Sequence, residues 1–381
     1  MTNREQFFDL LGNRGVKRLP FFPDVSDWYK ARRLPPDERN FYPTGGLISD
    51  SDGINTRQHD MPSEWASWTY LDFYRNYDWG LPVHIYDWCD FEPDGHDVVV
   101  TNEPDRTITE WKTPIGELRK VQRMAADGSM AITAHPVKTL EDLTILEYVV
   151  LHTKQQANPK LVRGVLDEIG DLGVADIVVG RSPFGKVVQE YLGLETTAFL
   201  YAEEPKRIHE FLELQERVDM EIIEFAAESD ARVVIISDHA DEHLINPRWF
   251  RELCIPFYRK ACDIFHDAGK IVSTHLDGNI KGLLPLLPDT GFDLLDGCTP
   301  SPMNNYTPGQ LGAALGPGQY AYCGVPSTFF AQELPDEAIL ESARDIHAGV
   351  GDRLIMNVGD VLPPNGSIEQ VILLGQWCAG L

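Results

Sequence analysis

Basic residues are scarce in this chain: 33 Lys and Arg stand against 59 Asp and Glu, a formal charge of −26 over 381 residues. So large an acidic surplus argues against nucleic acid, anionic membrane surfaces and strongly polyanionic substrates, all of which would meet a surface of their own sign. Long apolar runs are missing as well. No stretch approaches the roughly 18 apolar residues of a spanning helix, and the opening MTNREQFFDLLGNRG has the pattern of an amphipathic helix rather than a signal peptide. Cysteine is sparse and unpatterned. The six, at 89, 254, 262, 298, 323 and 378, include no CxxC pair and no disulfide-framework spacing, which fits a reducing compartment. No GxGxxG follows an early strand, so a dinucleotide fold has no fingerprint here. These absences predict a soluble cytoplasmic protein, long enough for a substantial core.

What is present centres on Ser237 to Pro300. Val233 to Ser237 (VVIIS) reads as a buried parallel strand ending in Asp238-His239. After the loop ADEHLI, Asn246-Pro247 reads as an N-cap with proline at the first helical position. The helix that follows keeps Phe250, Leu253, Cys254, Phe257, Ala261, Ile264 and Phe265 at helical spacing and stops before Gly269. Lys270 to Thr274 is the next strand, and it delivers His275 into the turn His275-Leu276-Asp277-Gly278-Asn279.

His239 and His275 both stand just past strand C-termini of a β/α repeat, where barrels and doubly wound folds place their chemistry. Adjacent parallel strands lie about 4.8 Å apart, so side chains above two neighbours can share one ion. Cys254 is a third candidate, with fourteen residues between it and His239 and twenty between it and His275. Two His and one Cys suit zinc with a fourth position left for a substrate atom. Other readings stand beside these. Cys254 can be a small core residue, His239 a solvated loop histidine, and Asp238 and Asp277 plain turn formers rather than orienting or proton-transferring groups.

Earlier in the chain, aromatics crowd between Trp28 and Trp88, including Phe41, Tyr42, Trp65, Trp68, Phe73, Tyr77 and Trp79. They are either core or a cap over the mouth offering ring faces to a substrate. Val98 to Thr101, Thr107 to Trp111, Leu118 to Arg123 and Met130 to Thr133 read as a small antiparallel insertion, with Ala126-Asp127-Gly128 as a hairpin signal. Beyond Leu140 the pattern alternates. Strands are predicted at Asp176 to Gly180, Val233 to Ser237, Lys270 to Thr274, Phe292 to Leu295, Tyr320 to Cys323 and Arg353 to Asn357. Helices are predicted at Pro205 to Ser229, Pro247 to Ala268, Asp336 to Ala348 and Ser367 to Cys378, the last with Ser367 and Gln370 as a capping box. With Arg18 to Phe22 and one further strand not placed, the count approaches a (β/α)8 TIM barrel. The chain is then one domain, 1–381, with 23–135 as an aromatic-rich N-terminal cap and β insertion.

The run from NPRWFRELCIPFYRKACDIFHDAGKIVSTHLDGNI through LLDGCTPSP to NVGDVLPPNGSIEQV resembles the uroporphyrinogen decarboxylase-like superfamily. Within it the chain is most similar to the methyltransferases that pass methyl groups to corrinoid proteins, including the demethylating components of O-demethylase systems. That branch holds zinc through Glu, fourteen residues, Glu, twenty residues, His. Here His239 and Cys254 occupy the glutamate positions and His275 matches the histidine. The thiol-methylating members use His-x-Cys, where this chain has Asp277. The decarboxylases carry an N-terminal arginine motif that FFPDVSDWYK lacks. The resemblance therefore implies a zinc-dependent methyltransferase that demethylates a small, methoxylated substrate and passes the methyl group to a corrinoid protein or tetrahydrofolate. A carboxy-lyase and a non-catalytic ligand-binding barrel are the alternatives, and a homodimer is compatible with either. No Asp-x-His-x-x-Gly corrinoid signature is present, and the last predicted helix ends three residues from the C-terminus. The acceptor is therefore expected on a separate molecule.

Overall fold

The computed structural model describes residues 1–33, 59–125, 130–332 and 334–381. Phe41, Tyr42 and the Ala126-Asp127-Gly128 turn lie outside them. Thirteen strands are numbered in chain order: β1 Leu81–Ile85, β2 Cys89–Pro93, β3 Asp97–Glu103, β4 Arg106–Thr113, β5 Gly116–Met124, β6 Met130–Ala134, β7 Thr153–Ala157, β8 Gly173–Val178, β9 Val233–Ile236, β10 Ile271–His275, β11 Leu294–Cys298, β12 Tyr320–Gly324 and β13 Leu354–Asn357. Seven of them form a curled, all-parallel sheet in the order β1-β8-β9-β10-β11-β12-β13. Every residue of β9, β11, β12 and β13 is buried, as continuous apolar runs require when helices cover one face and side chains fill the other.

The expected eighth strand is reduced to a single bridge, Phe21 with Met356. Phe22 N and Pro20 O bond Met356 at 2.9 Å each, and Phe21 O accepts from Gly80 N at 2.9 Å. The Pro20–Phe22 segment thus contacts β13 on one side and the residue before β1 on the other, in a TIM-barrel-like arrangement. The strand that the sequence left unplaced is β1, LPVHI, paired with β8 along its length. It lies within the aromatic-rich stretch, whose described aromatics are mostly core: Trp28, Trp65, Phe73, Tyr74, Trp79 and Trp88 are each at most 2% exposed. T-shaped contacts such as Trp28 with Phe73 at 5.6 Å tie them together. Tyr86, 42% exposed, is an exception.

The antiparallel insertion is present as a four-stranded sheet, β3-β4-β5-β6. The helix expected from Pro205 runs Pro205–Glu228. The one expected from Pro247 is interrupted by a π-helical turn, Phe250–Cys254, before continuing as Ile255–Asp267. Only half of the expected C-terminal capping box forms. Ser367 Oγ accepts from Gln370 N at 3.2 Å, but the Gln370 side chain donates to Leu334 O at 2.8 Å instead of returning to the cap. All six cysteines are unpaired and buried. Among the described residues no helix is long and apolar enough to cross a membrane.

Candidate metal centre

β9 and β10 are neighbours in register, Ile236 opposite Thr274, so their C-terminal ends emerge side by side. Three residues beyond β9 the chain turns through His239, whose φ of 48° lies in the left-handed region rarely entered by residues other than glycine. That turn brings its ring to 4.6 Å, centroid to centroid, from the ring of His275 at the end of β10. The loops beyond are laced together. Asn279 donates to Asp241 Oδ2 from its backbone at 3.0 Å and its side chain at 3.2 Å, and Asn304 holds Asp277 O at 3.1 Å.

Asp277 closes the group. Its Oδ2 lies 3.0 Å from His239 Nδ1 and 3.8 Å from His275 Nε2. Among the described residues, one ligand atom each from His239, His275 and Asp277 fall within 4.8 Å of one another. Two imidazoles and a carboxylate are a donor set that suits zinc and leaves a further position for a substrate atom. The His275 ring is already set for such a role. Its Nδ1 donates to Asp296 Oδ2 at 3.1 Å, and its Nε2 faces Asp277. Gly297 makes room for that ring: a Cβ there would sit 2.8 Å from His275 Cε1, and its φ is 72°.

Electrostatics follow from this packing. Burial disfavours a charged His275, but the hydrogen bond to Asp296 and the carboxylates of Asp360 and Asp277 outweigh it and raise the imidazole to about 9. Burial acts on Asp277 in the upward direction, yet the hydrogen bond with His239 and the charge of His275 bring it down to about 2. Below them in the sheet interior, His84 of β1 lies 2.9 and 3.0 Å from the two oxygens of Asp176. Burial opposes its charge, but Asp176 raises it to about 10. Burial also pushes the Asp176 carboxyl up. Contact with both carboxylate oxygens leads us to assign the proton to His84.

Two expected residues are placed elsewhere. Cys254 is fully buried in the π-helical turn and lies outside the group. Burial and the neighbouring Asp238 carboxylate push its thiol well up. It sits about two turns into a helix that begins beside the loop, and its side chain faces the core. Asp238, also fully buried, does not orient the histidines. Its carboxylate accepts from Ser182 N at 2.7 Å, Ser182 Oγ at 2.6 Å and Tyr258 Oη. Sequence reasoning missed Asp296 as a partner of His275, because the link is cross-strand register, His275 opposite Asp296, rather than spacing. Asp360, 3.6 Å from His275 Nε2, comes from beyond β13.

Residues 123–379 match the family described as Uroporphyrinogen decarboxylase (URO-D). The chain belongs to the URO-D family. Among solved structures, this URO-D protein is similar to a methyltransferase from Methanosarcina mazei, with 13% identity over 100% of this chain and 98% of that one, at a TM-score of 0.60. A B12-independent methionine synthase from Shewanella sp. W3-18-1 in complex with selenomethionine matches at 10% identity over 95% and 96% of the two chains, with a TM-score of 0.43. At such identities the first likeness speaks for the fold alone. No curated protein matches the sequence.

Proposed function

We propose that this URO-D family member is a zinc-dependent methyltransferase that demethylates a small methoxylated substrate and hands the methyl group to a corrinoid on a partner protein or to tetrahydrofolate. The observation that carries the reading is the convergence of His239, His275 and Asp277 within 4.8 Å, with Asp296 fixing the His275 tautomer. These three residues would hold the zinc, which when bound supplies a Lewis acid for the substrate oxygen. In the reaction the O–CH3 bond breaks, the methyl group joins the nucleophilic acceptor, and the oxygen keeps the bonding pair and takes up a proton. Asp296 keeps His275 Nδ1 protonated and its Nε2 directed at the site. Asp277 holds the His239 ring against that of His275. Asp360, whose side chain is 49% exposed, stands at the rim within reach of water and is suited to relay the proton.

The carboxy-lyase alternative meets an acidic mouth. The charges acting on His275 include Asp277, Asp296 and Asp360, a poor lining for a polycarboxylate. The test mixes protein, methoxylated aromatic substrates and a reduced corrinoid protein and follows conversion of cob(I)alamin to methylcobalamin by absorbance, alongside a tetrahydrofolate assay. Methyl transfer should depend on added zinc and be lost in His275→Ala. Demethylation without any acceptor, or carbon dioxide release from a carboxylated substrate, would sink the proposal. Protein that holds no metal and shows neither activity would favour a ligand-binding role.

A further inference from the structure

Barrel interiors are ordinarily filled by bulky apolar side chains. One layer of this interior is polar instead. His84, Asp176, Ser273, Asp296 and Tyr322, one residue from each of β1, β8, β10, β11 and β12, line a small cavity of about 20 Å3. Its floor is apolar, from Val174, Val233 and Leu294. A single water needs roughly 10–15 Å3 and two to four polar partners, so the space and its walls suit one water. The cavity lies under the metal centre. Ser273 precedes His275 by two residues on β10, which puts both on the inward face with His275 one layer higher.

The polar groups around this space are incompletely used. His84 Nδ1 lies 2.9 and 3.0 Å from the two oxygens of Asp176, which leaves Nε2 for another partner. Ser273 is 2% exposed, and among the described residues its hydroxyl bonds no protein group. Asp296 accepts from His275 Nδ1 at 3.1 Å through Oδ2. Its charge acts on His84, yet among the described residues the two side chains form no direct bond. Tyr322 is already committed, donating to Phe22 O. Among the described residues, the buried polar atoms sealed without a partner include neither His84 Nε2 nor Ser273 Oγ. Both therefore keep surface that a molecule in the cavity can reach. We propose that the cavity holds one ordered water, which accepts from His84 Nε2, bonds Ser273 Oγ and donates to Asp296, and that His84 is thereby a positioning residue for the metal centre. The chain of contacts runs from Asp176 through His84, the water and Asp296 to His275. The water steadies the Asp296 carboxylate, and the carboxylate sets the direction of His275 Nε2. The inference rests on the metal-centre reading of His275, but the water and the His275–Asp296 bond can both be read without zinc.

The first test is a high-resolution crystal structure of the metal-free protein, which should show one water within hydrogen-bonding distance of His84, Ser273 and Asp296. The second is zinc affinity by competition with a chromophoric chelator. It should fall about tenfold in His84→Leu, as when an orienting neighbour is lost, and return towards the parent in His84→Gln, whose amide can still donate to the water. Ser273→Val, which fills the space and removes the hydroxyl, should weaken zinc as His84→Leu does; the two His84 variants decide the matter if it misfolds. The third test needs no metal. In 15N-histidine-labelled protein the His275 Nδ1–H bonded to Asp296 gives a downfield imidazole resonance, which should shift or broaden in His84→Leu and persist in His84→Gln. A parent that binds no zinc would defeat the methyl-transfer reading and leave this resonance and the water to decide the inference. A cavity without water, parent-like zinc binding in His84→Leu, His84→Gln as impaired as His84→Leu, or a resonance unmoved in His84→Leu overturns it.

Discussion

Two histidines in this chain are held by carboxylates in ways that make opposite demands on experiment. His275 is kept in place by Asp296 on one side and by the bare Gly297 backbone on the other. Gly297→Ala should therefore cost zinc affinity by about tenfold or more, as losses of orienting neighbours do, and competition with a chromophoric chelator measures it. Cys254→Ala, by contrast, should keep the metal and lose only about 1 kcal/mol of stability for the small cavity in a denaturant melt. If instead Cys254→Ala strips the zinc, the assignment of Asp277 as third ligand is wrong. His84 gives the pH dependence. Its imidazole rises from 6.5 to about 10 on folding, so the folded state holds the proton more tightly. The resulting stabilisation is complete below about pH 6.5 and disappears as pH climbs through about 10. The Tm gap between the parent and His84→Gln should be widest near pH 6 and close above pH 10, and a gap constant across that range would exclude a protonated pair. His239 and His275 were legible in the sequence because each directly follows a β-branched or apolar strand. Asp277 was seen only as a helper, since nothing in a linear spacing reveals which carboxylate folds back onto a ring.

At the scale of elements, legibility tracked periodicity. The helices from Pro205, Pro247 and Asp336 and the β8 to β13 strands were visible because apolar residues recur at helical intervals or in buried runs. β1 was not, because LPVHI is flanked by Trp79-Gly80 and Tyr86-Asp87-Trp88 and is indistinguishable from the surrounding aromatic core until its pairing with β8 is known. The π-helical turns are likewise silent in sequence: one extra residue per turn leaves the pattern almost unchanged but re-aims whatever follows. Asp238 lies between the two helical segments that carry these turns. Gly185 comes so close that a Cβ there would lie 2.2 Å from Asp238 Oδ1, and Tyr258, four residues past the second π turn, reaches the same carboxylate. This network joins the Ser182 loop, the β9 terminus and the helix Ile255–Asp267. Asp238→Ala should cost about 3 kcal/mol, since it leaves buried donors of Ser182 and Tyr258 unmatched. Tyr258→Phe should cost less, and chemical denaturation ranks the two. A neutral Asp238→Ala would mean that the loop is held elsewhere.

For the molecule as a whole, the family match and the sheet do not coincide. The match covers residues 123–379, whereas the sheet takes its first strand from Leu81–Ile85 and its bridging segment from Pro20–Phe22. The family signature thus accounts for the rim bearing the histidines, but the residues that close the lower interior, His84 included, come from a part of the chain outside it. That division bears on substrate choice. An interior in which Asp24, Asp176, Asp296 and Asp360 act on one another and on His84 and His275, within a chain of net charge −26, sets a repulsive potential against any polyanion entering the mouth. At roughly physiological ionic strength charges are screened over about 8 Å, but inside a mouth walled by low-dielectric core the screening is weaker. A porphyrinogen bearing several carboxylates should therefore neither release carbon dioxide with this protein nor inhibit the proposed methyl transfer, and lowering the salt should make its binding weaker still. Carbon dioxide evolution that falls in His275→Ala, or tighter binding of the polycarboxylate at low salt, would show that cations beyond the acidic rim govern entry and would return the protein to the chemistry of its family name.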